Sequence, residues 1–135
     1  MTERELAKAA IDAMAHAYAP YSGFHVGAAL LTADGRVFTG CNIENAAFSP
    51  TVCAERTAVF KAVSEGVREF AMLAVVGGKD GVITDLCPPC GVCRQVLCEF
   101  CPPDFPLLLV KSETAWEKTT LAALLPHAFN MENAV

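Results

Sequence analysis

The sequence predicts an α/β fold, a three-layer α/β/α sandwich built on a central mixed β-sheet. Three observations predict it. The elements read in the order helix, hairpin, helix, strand, helix, strand, and the strand runs are apolar enough to be buried best between layers of helix. The 135 residues suit one domain, in which about two-thirds of the unfolded chain's surface is buried on folding. No internal repeat, low-complexity tract or linker divides the chain, so residues 1–135 are expected to form a single catalytic domain.

Each element has a local cause. Thr2 with Glu5 three residues on has the form of a capping box, and Leu6, Ala10, Ala13 and Ala17 follow at helical spacing until Pro20. Pro20 to Gly23 reads as a loop that delivers Phe24 and His25 to an apolar strand from about Val26 to Ala33. Asp34-Gly35 is a hairpin turn, which predicts a second strand from Arg36 to about Glu44. Ser49-Pro50-Thr51 breaks the chain before a helix from Cys53 to about Glu65, ended by Gly66 as a C-terminal cap. Phe70 to Val76 is an apolar, β-branched run closed by Gly77-Gly78. A loop then leads to a short helix from Cys90 to about Phe100, stopped by Pro102-Pro103. Pro106 to Val110 predicts another strand, and Thr119 to Leu125 a last short helix before Pro126.

Composition narrows the function. A net charge of −5 with no Lys/Arg run argues against a polyanionic partner, because nucleic-acid affinity rests largely on basic phosphate contacts. No apolar run reaches the roughly 20 residues that span a membrane. Hydrophobic residues at 53% against 19% charged point instead to buried subunit contacts and a small-molecule ligand. Seven cysteines occur behind an N-terminus, Met1-Thr-Glu-Arg-Glu5, that has no apolar signal-peptide core, so the thiols are expected to be reduced and the protein cytoplasmic.

The chemistry concentrates in Cys53-Ala54-Glu55-Arg56 and Pro89-Cys90-Gly91-Val92-Cys93. A ligand, a carboxylate two residues later and a distant Pro-Cys-x-x-Cys form the signature of zinc-dependent nucleobase deaminases. Cys53, Cys90 and Cys93 offer three thiolates near helix N-termini, and a catalytic zinc takes three protein ligands while leaving a fourth position for water. Three thiolates leave Zn²⁺ with a nominal charge of −1, which makes it a poorer acidifier of water. Arg56 can offset that charge by donating to coordinated sulfur; otherwise it is a surface helix residue. Glu55 can shuttle the protons of hydrolytic deamination, although a glutamate in a first helical turn is also a common dipole partner. In the second strand Asn42 and Glu44 share a face, and can hold a sugar diol or form a polar strand end in solvent.

Two non-enzymatic readings compete. Cys87, Cys90 and Cys93 open a C-x-x-C-x-x-C run like that of an iron–sulfur protein, but Cys98 follows after four residues rather than three and precedes Glu99 instead of proline. A structural Cys₄ zinc site, with Cys53 or Cys87 as its fourth ligand, is the other. Cys41, Cys98 and Cys101 read as core or spare thiols, and His16, His25 and His127 lack partners at ligand spacing.

From about Pro20 to Phe129 the sequence resembles the small homotetrameric cytidine deaminases. The resemblance is carried by Tyr21-Ser-Gly-Phe24, Val26-Gly-Ala28, Gly40-Cys-Asn42-Ile-Glu44-Asn45, the Cys53 tetrad, Pro89 to Gln95 and Leu124 to Phe129. It implies a pyrimidine-salvage enzyme that hydrolyses cytidine and deoxycytidine to uridine and deoxyuridine with one Zn²⁺ per chain. It further implies that Cys53, Cys90 and Cys93 bind the metal, Glu55 moves protons, Asn42 and Glu44 hold the ribose, Phe24 packs on the pyrimidine and the Ala54 backbone meets the base. Phe129 would reach a neighbouring subunit's site, giving a homotetramer with shared active sites. Three positions depart from the pattern: His127 stands for a usual glycine, Phe48 for a common tyrosine and Cys87 for a more frequent serine. Blasticidin-S type deaminases share the zinc motifs and the length, and the Asn42/Glu44 pair favours a nucleoside.

Overall fold

The computed structural model describes residues 1–131. The capping box at Thr2 is formed, with the Thr2 hydroxyl accepting from Glu5 N, and it opens α1, Glu3–Ala13. Leu6, Ala7, Ala10 and Ala13 are the buried stripe of that helix. Ala17 is not on it, because the chain tightens into a 3₁₀ turn at Met14–His16 and Ala17 turns extended so that Tyr18 can bond Asn42 O. Met14 takes the core position instead.

Five strands form one sheet in the order β2-β1-β3-β4-β5: β1 Phe24–Thr32, β2 Val37–Cys41, β3 Phe70–Lys79, β4 Pro106–Ser112 and β5 Ala115–Thr120. The pairing is mixed, with β3 and β4 parallel and the other pairs antiparallel. Alternation along the strands sorts the core into two layers. Ala29, Ala74, Val76 and Leu108 face α1. Ala28, Leu30, Leu73 and Leu107 face α2, Ala54–Ser64, and α3, Gly91–Phe100. Each of those leucines is fully buried and contributes about 2 kcal/mol relative to exposure. The result is the expected α/β/α arrangement.

The second strand is shorter than the sequence suggests. It ends at Cys41: Asn42 N still donates to Val26 O at 3.4 Å, but Asn42 O, Ile43 and Glu44 pair with Tyr18 and Val52. The third strand is longer than expected: its ladder with β1 continues through Gly77 and Gly78, opposite Val26 and His25. The last predicted helix shrinks to α4, Leu121–Leu124, capped by the Thr120 hydroxyl. What precedes it is β5, which the sequence did not announce. Its Glu117-Lys118-Thr119-Thr120 run shows no apolar alternation, and backbone pairing to β4 makes it a polar edge strand. Trp116 and Lys118 tie that edge to Glu3 of α1.

Gly40 fixes how the site-bearing helix lies. A Cβ there would stand 2.3 Å from Ala54 O and 2.6 Å from Ala58 N, so only the missing side chain lets the first turn of α2 rest on β2. Gly66, at φ +88, ends the helix as anticipated.

A candidate active site at two helix N-termini

Cys53 is the N-cap residue of α2 and Cys90 that of α3. N-cap side chains normally accept from their own helix, yet neither sulfur does. They meet each other instead, with Sγ atoms 3.6 Å apart, and Cys93 Sγ from the first turn of α3 lies 3.6 Å from that of Cys90. All three sulfurs fall within 4.8 Å of one another. Sulfurs bonded at about 2.3 Å to one tetrahedral ion stand about 3.8 Å apart, so the cluster fits a single zinc-sized ion without rearrangement. Its donors are also the soft thiolates that zinc favours, and two helix dipoles point their positive ends at them.

Interaction with Cys93 and with Arg56, whose Nη2 lies 3.4 Å from Cys53 Sγ, holds the Cys53 thiol below the ordinary range and pushes that of Cys93 up. Arg56 Nε is buried with no hydrogen-bond partner among the described residues, leaving the guanidinium committed to the sulfur cluster. Glu55, one residue after the Ala54 backbone, is only 4% exposed, and burial pushes its carboxyl up to about 7. A carboxyl in that range can hold a proton or release it near neutrality.

Glu55, Cys53 and Cys90 line a cavity of about 260 Å³ together with Phe24, Asn42 and Glu44. The structure thus gathers around one cavity residues separated by 66 positions of sequence. Both polar side chains of the 42–44 segment also brace the loop that carries Phe24. Asn42 Oδ1 accepts from Val26 N at 2.9 Å and its Nδ2 donates to Phe24 O at 2.7 Å. Glu44 accepts from the backbone N–H groups of Tyr21 and Ser22 and from the Ser22 hydroxyl, which with those amides holds its carboxyl below the usual carboxylate range. Ser22 is therefore a site residue for which the sequence reading assigned no role, since nothing in its local pattern marks it as a partner of a glutamate 22 residues away. Thr51 and Pro88 also line the cavity and were likewise not singled out. Cys87 lines it too, as a thiol raised to about 11 by burial. It is outside the three-sulfur cluster, so among the described residues no fourth thiol joins the site.

Two expected residues lie apart. Ala54 is fully buried at the start of α2 and does not line the cavity with its side chain. Phe129 is 63% exposed and outside the cavity. Its carbonyl is held by Gln95 Nε2 at 2.8 Å and by the Cys98 thiol, which anchors the C-terminal segment on α3. His127, just before it, has φ +53, the left-handed conformation in which glycine is easiest.

Residues 1–109 match the family model for the cytidine and deoxycytidylate deaminase zinc-binding region. A cytidine deaminase of Sporosarcina psychrophila is 56% identical over 117 residues, covering 87% of this chain and 83% of that protein. One from Halalkalibacterium halodurans is 48% identical over 98% of both chains. Among solved structures, the cytidine deaminase of Burkholderia pseudomallei superposes with a TM-score of 0.87 at 47% identity, over 96% of this chain and all of that one. With relatives this close along nearly their full length, the chain belongs to the cytidine and deoxycytidylate deaminase family.

Proposed function

We propose that the protein hydrolyses cytidine and deoxycytidine to uridine and deoxyuridine, releasing ammonia, as a cytoplasmic enzyme of pyrimidine salvage. The observation that carries the proposal is the buried Glu55 carboxyl lining the same cavity as Cys53 and Cys90, two members of the three-sulfur cluster. The three cysteines would hold one zinc ion per chain. When bound, zinc supplies a Lewis acid that lowers the pKa of water at neutral pH.

The remaining work falls to this chain's residues. Glu55 takes a proton from the attacking water and delivers it to the ring nitrogen, and then takes the proton of the hydroxyl newly added to the ring carbon and passes it to the departing amino group. The ring carbon gains oxygen and loses nitrogen, so water and cytidine balance uridine and ammonia. Phe24 packs against the pyrimidine, and the Ala54 backbone meets the edge of the base. Asn42 and Glu44 take the ribose hydroxyls at the cavity rim. Arg56 keeps charge on the sulfurs by donating to Cys53.

Oligomerisation completes the reading. Phe48, Phe60, Val92 and Phe129 are exposed large apolar side chains, which supports their burial between subunits of a homotetramer whose sites are shared through Phe129. No described helix is long and apolar enough to cross a membrane.

The direct test is loss of the ultraviolet absorbance of cytidine on mixing with purified protein. Turnover of blasticidin S with no nucleoside turnover would refute the substrate assignment. Metal analysis should find about one zinc per chain, and a brown, iron-containing protein would refute the metal. Sharing of sites is checked by mixing two inactive variants, Glu55→Gln and Phe129→Ala. Hybrid tetramers should regain activity, because one site then combines an intact Glu55 with a neighbour's intact Phe129.

A further inference from the structure

Gly77 of β3 is a buried position where two walls of the cavity converge on a side chain that is not there. It pairs with Val26 of β1 and so faces the α2 side of the sheet, as Phe24 does two residues earlier. A Cβ at Gly77 would lie 2.9 Å from Cys87 Sγ, 2.9 Å from Phe24 Cε2 and 3.1 Å from Val26 Cγ2. All three are inside ordinary van der Waals contact. The Cys87 sulfur and the edge of the Phe24 ring thus occupy the space that any other residue would claim. Both then line the cavity.

We propose that Gly77 is a positioning residue that sets, through Cys87 and Phe24, how deep the aromatic wall stands in the cavity. The inference rests on the reading of Phe24 as the ring packed on the pyrimidine. A methyl group at 77 is held in place by the pairing of the strand backbone with β1, so the thiol and the ring, both of which line the cavity, must give way. That wall touches the base before and during reaction alike, so the loss falls on KM more than on kcat. A smaller side-chain atom at 87 returns the missing volume. Gly77 and Cys87 therefore behave as a coupled pair rather than as independent sites.

Steady-state cytidine kinetics and thermal melts of the wild type, Gly77→Ala, Cys87→Ser and the double variant test this. Gly77→Ala is expected to raise KM about tenfold or more with kcat changed less than about threefold, and the double variant to return KM to within about threefold of Cys87→Ser alone. A Gly77→Ala enzyme with unaltered KM, a loss confined to kcat, or a double variant that keeps the full rise in KM overturns the proposal. Should Gly77→Ala fail to fold, the double variant decides: it is expected to fold with KM near that of Cys87→Ser, and failure to do so overturns the coupling. A wild type that turns over no nucleoside refutes the function proposed above and this inference with it. An active wild type with an indifferent Gly77→Ala refutes this inference alone.

Discussion

Gly40→Ala puts the dependence of the site on the fold to a quantitative test. Its methyl group would meet Ala54 O at 2.3 Å and Ala58 N at 2.6 Å, both backbone atoms of the first turns of α2. Ordinary contact begins near 3.4 Å, so the carbonyl must recede by about 1 Å. Neither atom belongs to a side chain that can rotate away. The cost should therefore sit at the upper end of overpacking, about 3 kcal/mol, which lowers the melting temperature of a chain this size by about 10 °C. The same displacement carries Cys53, Glu55 and Arg56 away from Cys90 and Cys93, which stand on a different helix. A misplacement of about 1 Å typically costs on the order of 100-fold in turnover. Melting at fixed protein concentration, zinc content and cytidine turnover measure all three effects. Gly91→Ala is the control, because a Cβ at Gly91 meets nothing within 4 Å, and it should melt within about 3 °C of the wild type. A Gly40→Ala protein that melts like the control and keeps more than half its turnover would refute the account of α2 seated on β2.

Further outcomes are expected at four positions. Glu55→Gln should keep zinc and fold while losing turnover by on the order of 1,000-fold, read by metal analysis and single-substrate kinetics; retained activity removes Glu55 from proton transfer. Arg56→Ala removes the donor to Cys53 and should weaken zinc retention against a chelator by about 10- to 100-fold. At His127, held at φ +53, a β-branched residue is costlier than histidine, so His127→Val should lose about 1 kcal/mol while His127→Gly does not. Glu44 supplies the pH dependence. Its folded pKa is depressed by Ser22 and Tyr21, so its stabilisation is full above the unfolded value of about 4.3 and disappears as pH falls through the folded value. The melting gap between wild type and Glu44→Gln should be constant near neutrality and close below about pH 4; a gap that persists in acid contradicts the assignment.

Most of the architecture could be read before any coordinates because its elements are marked locally. The capping box at Thr2, the Asp34-Gly35 turn and the terminal Gly66 each satisfy a backbone requirement within a few residues, and each element appears at the place they indicate. β5 escaped because its cause is not local: a polar edge strand is held by pairing to β4, and no periodicity in Glu117-Lys118-Thr119-Thr120 reports on a neighbour. The three cysteines were legible because metal ligation restricts residue type and spacing together, and the fold does bring their sulfurs together. Ser22 and Gly77 were not, since one matters through a long-range hydrogen bond to Glu44 and the other through the side chain it lacks.

The bonds that Asn42 and Glu44, the proposed ribose ligands, make to residues 21–26 change how their substitution must be interpreted. Asn42 bonds the backbone on both sides of His25, and Glu44 gathers Tyr21 and Ser22, so together they fix the loop that leads into Phe24 and the first residues of β1. Replacing either residue loosens the aromatic wall as well as any hold on the sugar. A loss of affinity in such a variant therefore overstates the ribose contact, just as truncation at any interface includes the cost of groups left unpaired. The two contributions separate by changing the ligand instead of the protein. Removing a ribose hydroxyl from the substrate deletes only the sugar contact, whereas binding of the free base cytosine responds only to the wall. If Glu44→Gln weakens cytosine binding as much as cytidine binding, the carboxylate acts through the loop; if cytosine is unaffected, it acts on the sugar. The five hydrogen bonds that Asn42 and Glu44 give and take along residues 21–26 lead us to expect a measurable loss in both.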